Sequence, residues 1–307
     1  MEKSAILSEM DLCDKPQLLQ YLKQNDLWAK KSLGQNFLVD RAALDKIVET
    51  AELKYTDTVL EIGPGVGTLT EELIGRAGEV IAIEKDDFLA KLLNNKYQIS
   101  NAGSNVKFQI INQDVLEFDI STFRKGSLHS SAKNGFGRDD NAVYKLIANI
   151  PYYITSKILK KFLSAENKPE IIVLLVQKEV AERICAKPGN LSVLAVSVQY
   201  YGQPEIVDIV KRDSFFPAPE VDSAILKISK IKNQKSKTDE EYFFKIVKAG
   251  FSARRKTLFN NLKSGNNIPK EKISDIIEKI GFNQNTRAQE LSVVDWQNLI
   301  IEINKIT

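Results

Sequence analysis

The sequence predicts an α/β protein: a parallel sheet with helices on both faces, followed by a small all-helical domain. Three observations carry this. From about residue 55, short apolar runs rich in β-branched residues alternate with amphipathic stretches, the pattern of parallel strands joined by helical crossovers. A glycine-rich turn closes the first of those runs. Beyond residue 240 only helical spacing remains.

The elements follow in order. Residues 1–27 form an N-terminal extension, whose opening MEKSAILSEMDLCDKPQLLQ carries acids and lysines where an export signal needs an unbroken apolar stretch. TVLEIG (58–63), EVIAIE (79–84), VKFQIIN (106–112), YKLIAN (144–149, its apolar run 143–148 reading as a buried strand) and IIVLLV (171–176) read as central strands, with helical patterns at 68–76 and 88–97 between them. RKGSLHSSAKNGFGRDDNA (124–142), rich in Ser, Gly, Asn and charge, reads as a flexible surface insertion. LSVLAVSVQYYG (191–202) and SAILKISKI (223–231) are expected to be strands completing the sheet, separated by a proline-containing loop. The lysine-rich 231–239 reads as a linker. EYFFKIVKAGFSARRKTLFNNL (241–262), PKEKISDIIEKIGF (269–282) and VVDWQNLIIEI (293–303) have helical spacing. The expected domains are thus 28–230 for the sheet and 238–307 for the helices.

At 307 residues the chain can bury one full core and a smaller second one. With 43% hydrophobic and 27% charged residues it is globular in composition, and no apolar run approaches the roughly 20 residues of a membrane helix. Two cysteines, Cys13 and Cys185, suit a reducing cytoplasm, and one histidine, His129, leaves no plausible zinc set and little scope for histidine acid/base chemistry. Net charge is +3, but residues 227–307 hold 16 basic and 9 acidic side chains (+7) against 27 and 31 (−4) in 1–226. A basic C-terminal part points to a polyanionic partner, or to a solvated lysine-rich helical surface.

In VLEIGPGVGTLTEEL (59–73), Gly63, Gly65 and Gly67 are spaced G-x-G-x-G. A dinucleotide site would place its third glycine one position later, where Thr68 stands, and Pro64 removes an N–H that a phosphate would want. Glu84, closing the next strand, is placed to accept hydrogen bonds from two ribose hydroxyls. A nucleoside without phosphates is implied, of which S-adenosylmethionine is the usual one. Asp114, after the third strand, is an acceptor for an adenine amino group. In a doubly wound sheet the carboxyl ends of the strands meet at one crevice, so Gly63, Glu84, Asp114 and Asn149 should share it. An isolated glycine turn is more often only structural, and the series of strand ends gives it weight.

The fourth strand ends in NIPYY (149–153). An exocyclic amine has its lone pair delocalised into the ring. Acceptors that draw its hydrogens out of plane concentrate that pair on nitrogen without a base. The Asn149 side-chain oxygen and the Ile150 carbonyl are such acceptors, aimed by the rigid Pro151 turn. Tyr152 is expected to stack on the base, and Phe215, in SFFPAPEVDS, to close over its other face. Tyr153 and Phe216 are expected to pack in the core. No general base is assigned.

The order of KKSLGQNFLVD (30–40), LEIGPGVGTLT (60–70), IAIEKD (81–86), QDVLEFD (113–119), ANIPYYITSKIL (148–159) and FFPAPEVDSAI (215–225) resembles the ribosomal RNA adenine dimethyltransferases of the KsgA/RsmA family. The resemblance implies a Rossmann-like class I S-adenosylmethionine-dependent methyltransferase sheet. It also implies transfer of two methyl groups to N6 of each of two adjacent adenines near the 3′ end of small-subunit (16S) ribosomal RNA. It adds Asn36 and Leu38 to Gly63, Gly65, Glu84, Asp114 and Asn149 around the cofactor. FSARRKTLFNNL (251–262) and RAQELSVVDWQNL (287–299) are similar to the small-subunit branch rather than to the antibiotic-resistance branch acting on large-subunit RNA. Arg254, Arg255 and Lys256, expected at the start of a helix, read as phosphate contacts of an RNA-binding domain. The extension 1–27 and the insertion 124–142 depart from the family pattern. The expected protein is a cytoplasmic monomer acting on an assembling small subunit, with no metal and no membrane. The other reading is an RNA-binding assembly checkpoint with methylation secondary.

Overall fold

The structure, a computed structural model, describes residues 10–30, 33–100, 107–122, 143–232, 237–263 and 270–305. The insertion 124–142, with His129, and residues 1–9 of the extension lie outside the described residues. The chain divides into two compact units, Met1–Ala181 with Glu205–Ile231, and Glu182–Pro204 with Lys232–Thr307.

The first unit is built on a seven-stranded sheet. Its strands in chain order are β2 (Thr58–Ile62), β3 (Glu79–Glu84), β4 (Lys107–Asn112), β5 (Tyr144–Asn149), β6 (Ile171–Gln177), β7 (Gln203–Val210) and β9 (Ser223–Ser229). Across the sheet the order is β4-β3-β2-β5-β6-β9-β7. The first five strands pair in parallel, and β9 joins β6 antiparallel. All five residues of β2 are buried, as a strand covered on both faces requires. The chain runs outward from β2 to β3 and β4, then returns to β2's other side as β5. That reversal makes a topological switch point at the carboxyl ends of β2 and β5, where ligands bind in such sheets.

Helices α2 (Arg41–Thr50) and α3 (Thr68–Ile74) cover one face, with Leu44, Ile47, Leu69 and Leu73 packed on Val59, Ile147, Val173 and Leu175. Asp40 caps α2 by accepting from the Ala43 N–H at 3.1 Å. At the other end of β5, the buried Lys145 ammonium donates to the Ala51 and Glu52 carbonyls and pairs with Asp57 at 2.9 Å. A buried ammonium so enclosed ties the α2 exit to the sheet. The N-terminal segment is part of this unit: α1 (Lys15–Gln24), capped by Asp14, buries Leu18, Tyr21 and Leu22 against Phe37, Val66 and Leu89. A two-stranded pair, β1 (Phe37–Leu38) with β8 (Phe215–Phe216), aligns Leu38 with Phe215.

The second unit is helical: Val193–Tyr201, Lys237–Gly250, Leu258–Lys263, Lys270–Lys279 and Val293–Asn304. Tyr200 lies 4.2 Å from Phe243 between ring centres, and Trp296 is fully buried. No helix among the described residues is long and apolar enough to cross a membrane.

Four expectations are corrected. LSVLAVSVQYYG is a helix, Val193–Tyr201, not a strand: Ser192 caps it by accepting from the Ala195 N–H at 3.2 Å, and the helical unit buries its β-branched residues on more than one side. The segment read as a proline-containing loop holds strand β7, an edge strand that tolerates Pro204 and turns Glu205 and Asp208 to solvent. Residue 143 is exposed, and the fourth sheet strand runs 144–149. The linker expected over 231–239 overlaps a helix beginning at Lys237, while 233–236 lie outside the described residues.

Candidate active site

A cavity of about 340 Å³ opens at the carboxyl ends of β2, β3, β4 and β5. It is lined by Asn36, Leu38, Gly63, Gly65, Glu84, Asp114, Asn149, Ile150, Pro151 and Tyr152, so ten of the residues singled out in the sequence converge there.

The glycine turn forms its floor. Gly63, Gly65 and Gly67 have φ of +65°, +60° and +92°, a left-handed run that side chains resist. At Gly67 space is also short, since a Cβ there would lie 2.7 Å from Leu93 Cδ2. The turn is tied to the next strand, because the Gly65 N–H donates to Glu84 Oε2 at 3.2 Å. Glu84 Oε1 accepts from the Asp86 N–H at 2.8 Å. Burial pushes the Glu84 carboxyl above its ordinary range against these two N–H groups. Asp114 is held below the usual range by the Lys85 ammonium, 2.9 Å from its Oδ2.

One group on the floor escaped the sequence reading. Glu61, in the middle of β2, is 1% exposed and lines the cavity. Its Oε2 and the Thr68 Oγ1 have no hydrogen-bond partner among the described residues. Burial, with the Glu84 carboxylate adding to it, pushes the Glu61 carboxyl up to about 8. The signal was present in TVLEIG, where one acid interrupts an otherwise buried apolar run.

The wall is NIPYY. Asn149 Nδ2 donates to the Asn36 carbonyl at 3.1 Å, which fixes the orientation of the amide. The Asn149 Oδ1 then takes no donor from the protein among the described residues. Tyr152 is half-buried, with its hydroxyl 2.6 Å from the buried Ser223 Oγ. Tyr153 is not in the core, contrary to expectation: it is 63% exposed and lines the cavity mouth.

Phe215 is also not where it was expected. It is 2% exposed, pairs with Leu38 across β1 and β8, and belongs to the core under α2 and α3. Alternation in a two-residue strand sends Phe215 and Phe216 to opposite faces, and the buried face is that of Phe215. Phe216, half-buried, lies beneath the Lys15 ammonium. In the second unit, Arg254, Arg255 and Lys256 are exposed, but in the turn before Leu258–Lys263 rather than on the helix. The turn is closed by Asn261 Nδ2, which donates to the Gly250 and Ala253 carbonyls.

A family model described as ribosomal RNA adenine dimethylase matches residues 27–305. A ribosomal RNA small subunit methyltransferase A of Dehalococcoides mccartyi is 41% identical over 309 residues, covering 98% of each chain, so the N-terminal segment falls within the alignment. Among solved structures, a dimethyladenosine transferase from Plasmodium falciparum superposes with a TM-score of 0.71 at 28% identity, covering 88% of this chain and 98% of that one. The 23S rRNA methyltransferase ErmE gives a TM-score of 0.65 at 27% identity, covering 88% and 100%.

Proposed function

We propose that this chain, which belongs to the ribosomal RNA adenine dimethylase family, transfers methyl groups from S-adenosylmethionine to N6 of two adjacent adenines near the 3′ end of small-subunit ribosomal RNA. The observation that carries the reading is the Asn149 amide, pinned at one end by the Asn36 carbonyl and presenting a free acceptor at the cavity.

The cavity suits the cofactor. Glu84 offers carboxylate oxygens to ribose hydroxyls, Asp114 an acceptor to the adenine amino group, and the orphaned Glu61 and Thr68 oxygens acceptors to an ammonium group. When bound, the cofactor supplies an electrophilic methyl group on sulfur. The protein's own part is orientation. Asn149 Oδ1 and the Ile150 carbonyl accept the two amino hydrogens of the target adenine, drawing them out of the ring plane and leaving the lone pair on nitrogen. Being neutral, Asn149 does this without holding the nucleobase as a carboxylate-bound cation. Tyr152, its hydroxyl held by Ser223, gives the base a fixed stacking surface. Stacking of this kind offsets about 1 to 3 kcal/mol of the cost of unstacking the base from RNA. Holding the nucleophile in line with the methyl group is the larger effect, on the order of 7 to 11 kcal/mol. The amine proton leaves to water after transfer.

Arg254, Arg255 and Lys256 are assigned to RNA phosphates, and the protein is proposed to act in the cytoplasm, as a monomer, on an assembling subunit. Incubation of labelled cofactor with unmethylated small subunits should yield dimethyladenosine in their RNA. Label appearing only in large-subunit RNA or in protein would overturn the substrate assignment.

A further inference from the structure

Tyr153 is a large aromatic side chain left in solvent at the cavity mouth, 63% exposed, with no place in the reaction as derived. One edge of its ring nonetheless has a close neighbour. Gly34, at φ +65°, stands so close that a Cβ there would lie 3.1 Å from Pro151 Cβ and 3.3 Å from Tyr153 Cε1. The Cδ1–Cε1 edge therefore faces Gly34 across a gap too small for a side chain, while the rest of the ring stays open. Tyr152 and Tyr153 are consecutive in a 3₁₀ turn, Tyr152–Ile154, so their side chains diverge by about 120° and cannot clasp one base between them. Two cations share the rim. Lys85 is bound to Asp114, whereas Lys157, exposed and lining the cavity, acts on the Asp114 carboxylate only at a distance and makes no close ion pair among the described residues.

We propose that Tyr153 and Lys157 form a subsite for the nucleotide next to the target adenine, its base stacked on the open Tyr153 face and its phosphate on the Lys157 ammonium. An aromatic face with a solvent-exposed ammonium four residues on is the pairing that single-stranded nucleic acid uses, because every base has a π-face and every nucleotide a phosphate. Tyr153 is here a substrate-positioning residue: it holds the strand in register while the target base enters. The inference rests on the reading of the cavity as a methyl-transfer site for RNA.

Y153A, Y153F and K157A are compared with wild type for KM and kcat on unmethylated small subunits, and for cofactor Kd without RNA. Tyr153 is exposed, so none of these changes opens the core. Y153A should raise KM about 5- to 150-fold, the range a lost base–aromatic stack spans. Its kcat and cofactor Kd should stay within about twofold, and Y153F, which keeps the ring, should restore KM. K157A should flatten the salt dependence of subunit binding by about one unit. A Y153A enzyme with wild-type KM, a Y153F enzyme as impaired as Y153A, or a cofactor Kd that moves with KM would each overturn the stacking role. An unchanged salt slope in K157A would overturn the phosphate contact. A wild-type protein that binds cofactor but methylates no RNA would instead overturn the underlying reading of the cavity.

Discussion

Replacing Glu61 with Gln tests the most unusual group in the cavity. Burial raises this carboxyl from 4.5 to about 8 in the folded chain. For an acid whose folded value is the higher one, the native state binds more protons than the unfolded chain across that window, so stability is full below about pH 4.5 and falls as pH rises towards 8. Worked through the linkage relation, the loss is about 3 kcal/mol by pH 7 and about 4 kcal/mol by pH 8. Glutamine has nearly the same shape and does not titrate. Urea unfolding of the cofactor-free proteins at pH 5, 6, 7 and 8 should therefore show E61Q gaining on wild type by a margin that widens by about 3 kcal/mol between pH 5 and 8. Carboxylates held low, such as Asp86 and Asp114, push stability the other way in both proteins and cancel in the difference. A margin that stays constant over this range would refute the upward push of burial on the Glu61 carboxyl.

Other outcomes follow from single features. Phe215→Ala should destabilise by about 3 to 5 kcal/mol as a core truncation, while Phe215→Leu keeps near-normal turnover at low temperature. A full loss of kcat in F215L without loss of stability would return the residue to the site. Lys145→Ala removes an ammonium from Asp57 and two carbonyls, and chemical denaturation should register a loss of about 3 to 5 kcal/mol. Changing Arg254, Arg255 and Lys256 together to alanine should weaken RNA binding and lower its salt slope by about one per lost phosphate contact, and an unchanged slope would make them ordinary surface charge.

The parallel strands of the sheet interior could be read from the sequence because strands covered on both faces need mostly apolar residues, as in β6 and, apart from Thr58 and Glu61, in β2. Strand β4, read as central, is instead the edge strand, its residues exposed or half-buried, because nothing among the described residues pairs beyond it. The convergence of Gly63, Glu84, Asp114 and Asn149 followed from topology alone, since parallel strands put their carboxyl ends on one side. What failed was decided by tertiary packing. The run from Val193 has the composition of a buried strand, and only Ser192 ahead of it marks a helix start. Pro204 and the acids of β7 resemble a loop until the edge position is known. Phe215 and Phe216 are chemically equal in sequence, and the pairing of Leu38 with Phe215 chooses between them. Tyr153 differs from Tyr152 only in which way a 3₁₀ turn points it. The Asn36 carbonyl, which orients Asn149 from 113 residues away, is main chain and leaves no mark in sequence at all.

The most direct test is the single-turnover rate of Asn149→Ala on unmethylated small subunits, measured beside its affinities for cofactor and for the subunit. Loss of a preorganised polar contact at the reacting group should slow transfer by about 10²- to 10³-fold while both affinities change far less. Transfer at the wild-type rate, or a loss of affinity as large as the loss of rate, would contradict the claim that the Asn149 carbonyl prepares the adenine nitrogen for attack.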